Sequence, residues 1–326
     1  MEKTLDFIQT EIAIKFIKDT FEKELAKNLN LVRVSAPLFV FADSGLNDNL
    51  NGVERAVKFD VLDLKKEVEI VQSLAKWKRM ALHKYGFTVG SGLYTDMNAI
   101  RRDETLDNIH SVYVDQWDWE KIIEKKDRTL GYLKKTVRQI YKAFLSVAKK
   151  VSKQYPEIKH DVPNGITFIS SLELEKLYPT LSRKEREKEI TKKYGAVFLY
   201  KIGGKLKDGK PHDGRAADYD DWKLNGDLLL WYEPLQIAFE ISSMGIRVDE
   251  QSLVKQLKAK NETYKLENPY CKAIVGKELP YTIGGGIGQS RLCMYFLNKL
   301  HIGEVQASVW ADSTVADNLS KGIKLL

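Results

Sequence analysis

The 326-residue chain predicts a mixed α/β protein of the α+β kind, an antiparallel sheet flanked by helices, on three observations. Apolar residues recur at helical spacing in some stretches and at strand spacing in others. The apolar runs Leu228–Tyr232 and Ile237–Val248 follow each other across a short turn at Glu233-Pro234, a connection that suits antiparallel neighbours. No Gly-x-x-x-x-Gly-Lys-Ser/Thr occurs, and Gly284–Gly288 misses Gly-x-Gly-x-x-Gly because Gln289 stands where the last glycine belongs, so neither a P-loop nor a Rossmann turn is supported. At 43% hydrophobic, a chain of this length can bury a large core, and a single α/β domain over residues 1–326, or one domain with appended elements, is expected.

Ile14, Ile17, Phe21 and Leu25 fall on one face of a helix over about Thr4–Asn28, and Leu31–Val34 reads as a strand stopped at Ala36-Pro37. Ile70, Leu74, Trp77 and Ala81 mark a second helix. Lys78 lies at the edge of its apolar stripe, with Lys76 and Arg79 directed to solvent. Leu93–Arg101 and Ser111–Glu120 are strands. A helical stretch over Asp127–Lys153, a strand at Ile166–Ser170, a charged helix over Leu172–Tyr194 broken at Pro179, and an apolar strand at Ala196–Lys201 come next. Gly- and Asp-rich loop composition fills Gly203–Lys223. After the two strands at 228–232 and 237–248, helices at Glu250–Asn261 and Gly288–Leu297 complete the domain.

The net charge of +7 is uneven: residues 121–210 hold 23 Lys and Arg against 10 Asp and Glu. Stretches such as Lys184–Glu189 alternate in sign, as solvated helix faces do. Aromatics do not interleave with the lysines as a single-strand binder needs, so no nucleic-acid partner is expected. Two isolated cysteines and an amino terminus without an apolar run point to a reduced, cytoplasmic protein. No stretch is apolar for the ~18–20 residues of a membrane span. The five histidines show no zinc-ligand spacing.

Period two on 111–120 places Val112, Val114, Gln116 and Asp118 on one face and Tyr113, Trp117 and Trp119 on the other. The aromatic face suits packing under helices. The opposite face then presents an amide and a carboxylate, groups whose burial without partners costs a few kcal/mol but which orient a polar ligand well. Arg101 closes its strand, where a planar guanidinium holds a phosphate by two parallel hydrogen bonds, and Arg102 competes for that role. Gly284–Gly288 lets backbone approach a nucleotide at a helix start that also carries Arg291.

The pair Arg101-Arg102-Asp103-Glu104…His110-Ser-Val-Tyr-Val-Asp-Gln-Trp-Asp-Trp-Glu120 and Gly284-Gly-Gly-Ile-Gly-Gln-Ser-Arg291 resembles motifs 2 (about 93–120) and 3 (about 283–297) of the class II aminoacyl-tRNA synthetase fold. Residues 4–37 resemble motif 1, the dimer-forming element there. Ser73–Arg79, Ala217–Trp222, Leu224–Asp227 and Ala238–Asp249 narrow the likeness to the ammonia-dependent asparagine synthetases, from about Thr4 to Trp310.

The resemblance implies ATP as substrate with Mg²⁺ and a homodimer. Arg101 would hold the α-phosphate and a substrate carboxylate, and Arg291 would stack on adenine and reach the outer phosphates. His110, Ser111 and Val114 would contact the nucleotide, and Glu240 would meet ATP through Mg²⁺. Aspartate would be held by Lys78, Asp118, Asp227, Ser243 and Arg247, with Arg247 or Lys78 on its α-carboxylate, and Gln116 would join Arg101, Arg291 and Asp48 as a catalytic residue. Asp48 lies in Asn47-Asp-Asn-Leu-Asn-Gly52, which by composition alone makes a turn. By resemblance it is an essential acid, the group that takes the proton from ammonium. Ala75 stands where the aspartyl-tRNA synthetases carry a glutamine, which removes one aspartate contact. The expected reaction is adenylation of the aspartate β-carboxylate followed by attack of ammonia. The alternatives are an aspartyl- or asparaginyl-tRNA synthetase paralogue and a non-catalytic RNA-binding regulator.

Overall fold

A cap decides where the first helix begins. Asp6 accepts the Gln9 backbone N–H at 2.8 Å while its own N–H donates to the Gln9 side chain, so α1 (Phe7–Leu29) starts there and ends at Asn30 in the left-handed region. The computed structural model describes residues 5–47, 50, 54–159 and 162–326. After α1 come β1 (Leu31–Arg33), β2 (Phe39–Phe41), β3 (Lys58–Val61), β4 (Lys66–Ile70), α2 (Ala75–Lys84), β5 (Gly92–Ile100) and β6 (Tyr113–Ile122). The middle of the chain forms α3 (Leu130–Gln154), β7 (Thr167–Ser170), α4 (Ser171–Leu177), α5 (Arg183–Tyr194) and β8 (Ala196–Tyr200). The rest forms β9 (Asp220–Tyr232), β10 (Ile237–Arg247), α6 (Glu250–Lys260), α7 (Pro269–Val275), β11 (Thr282–Gly288), α8 (Gln289–Phe296) and α9 (Asp312–Ser320).

Eight strands form one sheet in the order β1-β5-β6-β11-β10-β9-β8-β7. The pairs from β5 to β8 are antiparallel, as expected, while β1–β5 and β7–β8 at the two edges are parallel. Both parallel pairs are joined by connections that carry helices, which a parallel pair requires. On one face α1, α3 and α8 cover the aromatic side of β6. Trp117 and Trp119 are fully buried, with Trp117 stacked on Phe21 at 5.1 Å between ring centroids. Burying a side chain such as Phe21 contributes roughly 2–3 kcal/mol. The opposite face is polar and is left for the site.

Four expectations are corrected. Ile70 belongs to β4, where Lys66-Glu-Val-Glu-Ile70 alternates at strand period, and α2 begins only at Ala75. A second sheet, β2-β4-β3, was not foreseen. Lys76 and Arg79 are buried: Lys76 pairs with Asp218 at 2.7 Å, and Arg79 donates to the carbonyls of Val248 and Pro280. The loop read through Lys223 ends earlier, because β9 starts at Asp220.

Candidate active site

The glycine run Gly284–Gly288 forms a strand in the middle of the sheet, and its last residue, Gly288, is the N-cap of α8, so the expected helix start lies at the end of a strand that was not expected. Glycine is needed there because side chains of neighbouring strands lie across β11. A Cβ on Gly284 would stand 1.9 Å from Glu120 Oε2, and one on Gly286 would stand 2.2 Å from Gln116 Oε1 and 2.8 Å from Asp118 Oδ1. The strand therefore forms a floor on which polar side chains from β6 rest.

β10 meets a geometric difficulty, since period two would send Glu240 to the opposite face from Ser243 and Arg247. An irregularity in its pairing with β9 resolves this. Glu240 pairs with Leu229 and Ser242 with Leu228, so Ile241 is an extra residue. The bulge re-aims the strand, and Glu240, Ser243 and Arg247 all line one cleft of about 370 Å³. In register, Asp118, Gly286, Ser243 and Asp227 form a row across four strands.

The deep end of the cleft is a buried ion network. Arg247 holds Glu120 through Nε and Nη2, the latter at 2.7 Å, and Asp220 through Nη1 at 2.5 Å. Lys78 reaches down from α2 to Asp118 at 2.9 Å and to the Gly285 carbonyl at 3.0 Å. Burial opposes the charge on Glu120, yet Arg247 and Lys78 hold its carboxyl below the usual range. Burial draws Lys78 below the usual lysine range, with Asp118 resisting, and pushes Asp220 up against the pull of Arg247.

The outer end is looser. Arg101 follows β5, its Nη1 4.0 Å from Glu104, and its Nε has no partner among the described residues; Arg102 is exposed and does not line the cleft. Arg291 donates to the Glu240 carbonyl at 3.0 Å and lies over the Phe239 ring. It is positioned by Asp115, which accepts the Ser290 N–H at 3.0 Å in the first turn of α8 and pairs with Lys18 at 3.0 Å. His110 stands 2.9 Å from the Asp107 carboxylate. Ser111, Val114 and Gln116 line the same wall.

Sequence reading thus brought together Lys78, Arg101, His110, Ser111, Val114, Gln116, Asp118, Glu240, Ser243, Arg247 and Arg291, all of which border the cleft. Asp227 sits one layer behind, bound by Arg215 at 2.6 Å. Burial pushes its carboxyl up, and Glu240 and Asp213 add to this against Arg215. Asp48 lies outside the described residues. Several charged residues in and around the cleft were missed. Glu120 continues the face of Gln116 and Asp118 and was legible by parity. Asp115, Asp220 and Arg215 act through contacts that no local spacing records.

Among the described residues no group of three or more His, Cys, Asp or Glu side chains is arranged to hold a metal. Glu240 instead stands near Arg291, Arg215, Lys184 and Arg101. A carboxylate whose nearest charges are mostly cations, with Asp227 and Asp213 further along, suits a Mg²⁺ ion that would arrive on phosphates and keep most of its water, and does not suit a resident metal cage.

A family model described as AsnA, aspartate-ammonia ligase, matches residues 8–322. The chain belongs to the aspartate–ammonia ligase family. Among curated relatives, the aspartate–ammonia ligase of Clostridium tetani is 59% identical over 323 residues, covering 99% of this chain and 95% of the relative. That of Bacillus cytotoxicus is 60% identical over 304 residues, covering 93% of each. Among solved structures, this ligase is similar to the asparaginyl-tRNA synthetase of Pyrococcus horikoshii complexed with asparaginyl-adenylate. The TM-score is 0.70 at 16% identity, over 93% of this chain and 70% of that one. The aspartyl-tRNA synthetase of Entamoeba histolytica gives a TM-score of 0.61 at 16% identity, over 91% and 58%. At that identity the likeness establishes the class II fold alone, and the synthetase-paralogue reading gives way to the ligase family.

Proposed function

We propose that this ligase forms L-asparagine from L-aspartate and ammonia through a β-aspartyl-AMP intermediate, releasing AMP and pyrophosphate, as one catalytic unit over residues 1–326. The observation that carries the reading is that Arg101 and Arg291, 190 positions apart in the chain, border the same cleft as Gln116 and Asp118. A carboxylate resists nucleophiles because it is already anionic. Transfer of AMP removes that charge: a β-carboxylate oxygen bonds to the α-phosphorus as the bond to pyrophosphate breaks. Guanidinium groups on both sides of the α-phosphate stabilise the charge that builds on its oxygens. Ammonia then bonds to the acyl carbon, AMP leaves with the C–O electron pair, and a base takes the surplus proton.

Asp118 and Asp227 are suited to the α-ammonium, and Ser243 and Gln116 to orienting the substrate between them. Lys78 is the better candidate for the α-carboxylate, because Arg247 already spends donors on both Glu120 and Asp220. Glu240 would hold a Mg²⁺ ion, which supplies charge neutralisation on the phosphates. Asp48 is proposed as the base, supported by its neighbours Leu50 and Glu54, which line the cleft.

A homodimer is proposed from the outer face of α1, where Ile8 and Ile12 are 74% and 60% exposed, and from Val32 on the edge strand β1, 58% exposed. Residence in the cytoplasm is supported by two free, buried thiols, Cys271 and Cys293.

Incubation with aspartate, ATP, Mg²⁺ and ammonium tests the reaction. AMP and asparagine should appear in equal amounts, and ADP in place of AMP would overturn the adenylate. Asp48→Ala should spare aspartate-dependent pyrophosphate–ATP exchange more than asparagine formation, and equal loss of both would remove Asp48 from the proton-accepting role.

A further inference from the structure

The uneven charge of the chain has a structural address that the ligase reaction does not use. α3 contains seven Lys and Arg and no Asp or Glu in 25 residues. Lys134, Arg138, Lys142, Lys149 and Lys153 follow at steps of four, four, seven and four, so with Lys135 they fall along a single side of the helix. Leu133, Val137, Ile140, Phe144, Val147 and Val151 fill the other side and are buried under the sheet. Five of the six cations on the ridge are exposed and Lys134 is half-buried. Among the described residues none of the six forms an ion pair. The remaining cation of the helix, Lys150, pairs with Glu24 at 2.8 Å.

An ordinary solvated face looks different, and this molecule contains one. In α5, Glu185, Glu187 and Glu189 separate the cations, so that neighbouring turns attract. On α3 the neighbours at four-residue spacing repel. Aromatic rings hold the first of these cations in place: Lys134 lies 4.7 Å from the Tyr200 ring centroid and Arg138 lies 4.6 Å from that of Phe168. The crowding extends to β6, where burial and then the neighbouring Lys135 depress the pKa of Lys121. None of the ridge residues borders the catalytic cleft.

We propose that the exposed ridge of α3 is a docking surface for a double-helical nucleic acid, held through its phosphates without reading of bases. From Lys134 to Lys153 the ridge runs roughly 29 Å at 1.5 Å per residue, a little under one helical turn of a duplex. Its outward face carries no large exposed apolar side chain, so a lipid bilayer has nothing to take in. The absence of free aromatic platforms along it disfavours an unpaired strand, for which stacking supplies much of the affinity, and leaves backbone contact as the mode that fits. The sequence alone led to the opposite expectation because it displays composition, whereas the stripe exists only once the helix is wound.

The full-length ligase should be titrated against fluorescent DNA and RNA duplexes of about 20 base pairs, with phosphatidylserine vesicles and polyglutamate as competing probes. Binding to either duplex should weaken on the order of 10²–10³-fold between roughly 50 and 200 mM KCl if about five phosphates are engaged. Arg138→Gln with Lys142→Gln, and separately Lys149→Gln with Lys153→Gln, should each flatten the logarithmic salt slope by about two. Asparagine formation and the thermal midpoint should stay at wild-type values, which separates a lost contact from a lost fold. The proposal is overturned if neither duplex binds at the lower salt, if both double variants retain the wild-type salt slope, or if polyglutamate or the vesicles compete duplex off at equal charge.

Discussion

The two ends of the catalytic cleft are built on opposite principles. At the deep end Arg247, Glu120, Asp220 and Lys78 are all at most 2% exposed, and each charge meets an opposite one within 3 Å. At the outer end Arg101 reaches its nearest carboxylate only at 4.0 Å, and Arg291 spends one hydrogen bond on a backbone carbonyl. The difference separates two tasks. A pocket for a small zwitterion must be rigid before the ligand arrives, and its groups fix one another. A site for a polyphosphate needs guanidinium donors left over. The deep end therefore belongs to the stability of the fold as much as to the reaction, whereas the outer end belongs to the reaction alone.

The largest effect should follow from breaking the deep end. Glu120→Ala strands Arg247 without its main counter-charge in a fully buried place and should cost about 3–5 kcal/mol in urea unfolding, with asparagine formation lost. Gly284→Ala tests the same clamp without removing a charge. Its methyl group would meet Glu120 Oε2 at 1.9 Å and Arg247 Nη2 at 2.7 Å. Both stability and activity should fall, and a variant with wild-type activity would mean that the position of Glu120 over β11 is unimportant.

At the outer end the two readouts should part. Arg101→Lys and Arg291→Lys keep a positive charge but lose the planar fork, and each should lower turnover on the order of 10²–10³-fold, the scale of a lost transition-state donor. Unfolding free energy should move by no more than about 0.5 kcal/mol, as for surface changes. A loss of several kcal/mol in either variant would erase the distinction between the ends.

How much of this was legible depended on whether the information was periodic or spatial. Helices α1, α3 and α8 and strands β5, β6 and β10 follow from apolar spacing. So does the division of β6 into an aromatic face and a face with Gln116 and Asp118. The glycine run was recognised as leading into α8, but the strand it forms before that helix was missed. Four glycines carry no side-chain pattern, and only the neighbours lying across them explain why a central strand contains so few Cβ atoms. Lys76 and Arg79 were sent to solvent because lysine and arginine usually belong there; their partners, Asp218 and two backbone carbonyls, are more than 100 residues away. The bulge at Ile241 was likewise invisible, although Glu240 before it and Ser243 beyond it were singled out. Resemblance to a family carried Glu240, Ser243 and Arg247 where parity would have divided them.

Acid titration sharpens the comparison with the smallest expected effect. Burial works against the charge on Glu120, but Arg247 and Lys78 win, so its folded pKa lies below the ordinary value. A carboxyl held down in this way stabilises the fold above its unfolded pKa of about 4.3, and that contribution disappears as pH falls through the folded value. Asp107, at the outer end, is also held down. Burial opposes the shift, while His110 and the Ile109 backbone N–H produce it. Its side chain is 53% exposed, so solvent screens most of the gain. Wild-type stability should therefore decline as pH drops below about 4. Asp107→Asn should leave the steepness of that decline almost unchanged, whereas Glu120→Gln should flatten it at the cost of a lower plateau near neutrality. Equal flattening in the two variants, read from urea midpoints at a series of pH values, would mean that the outer carboxylate is bound into the fold as tightly as the buried one.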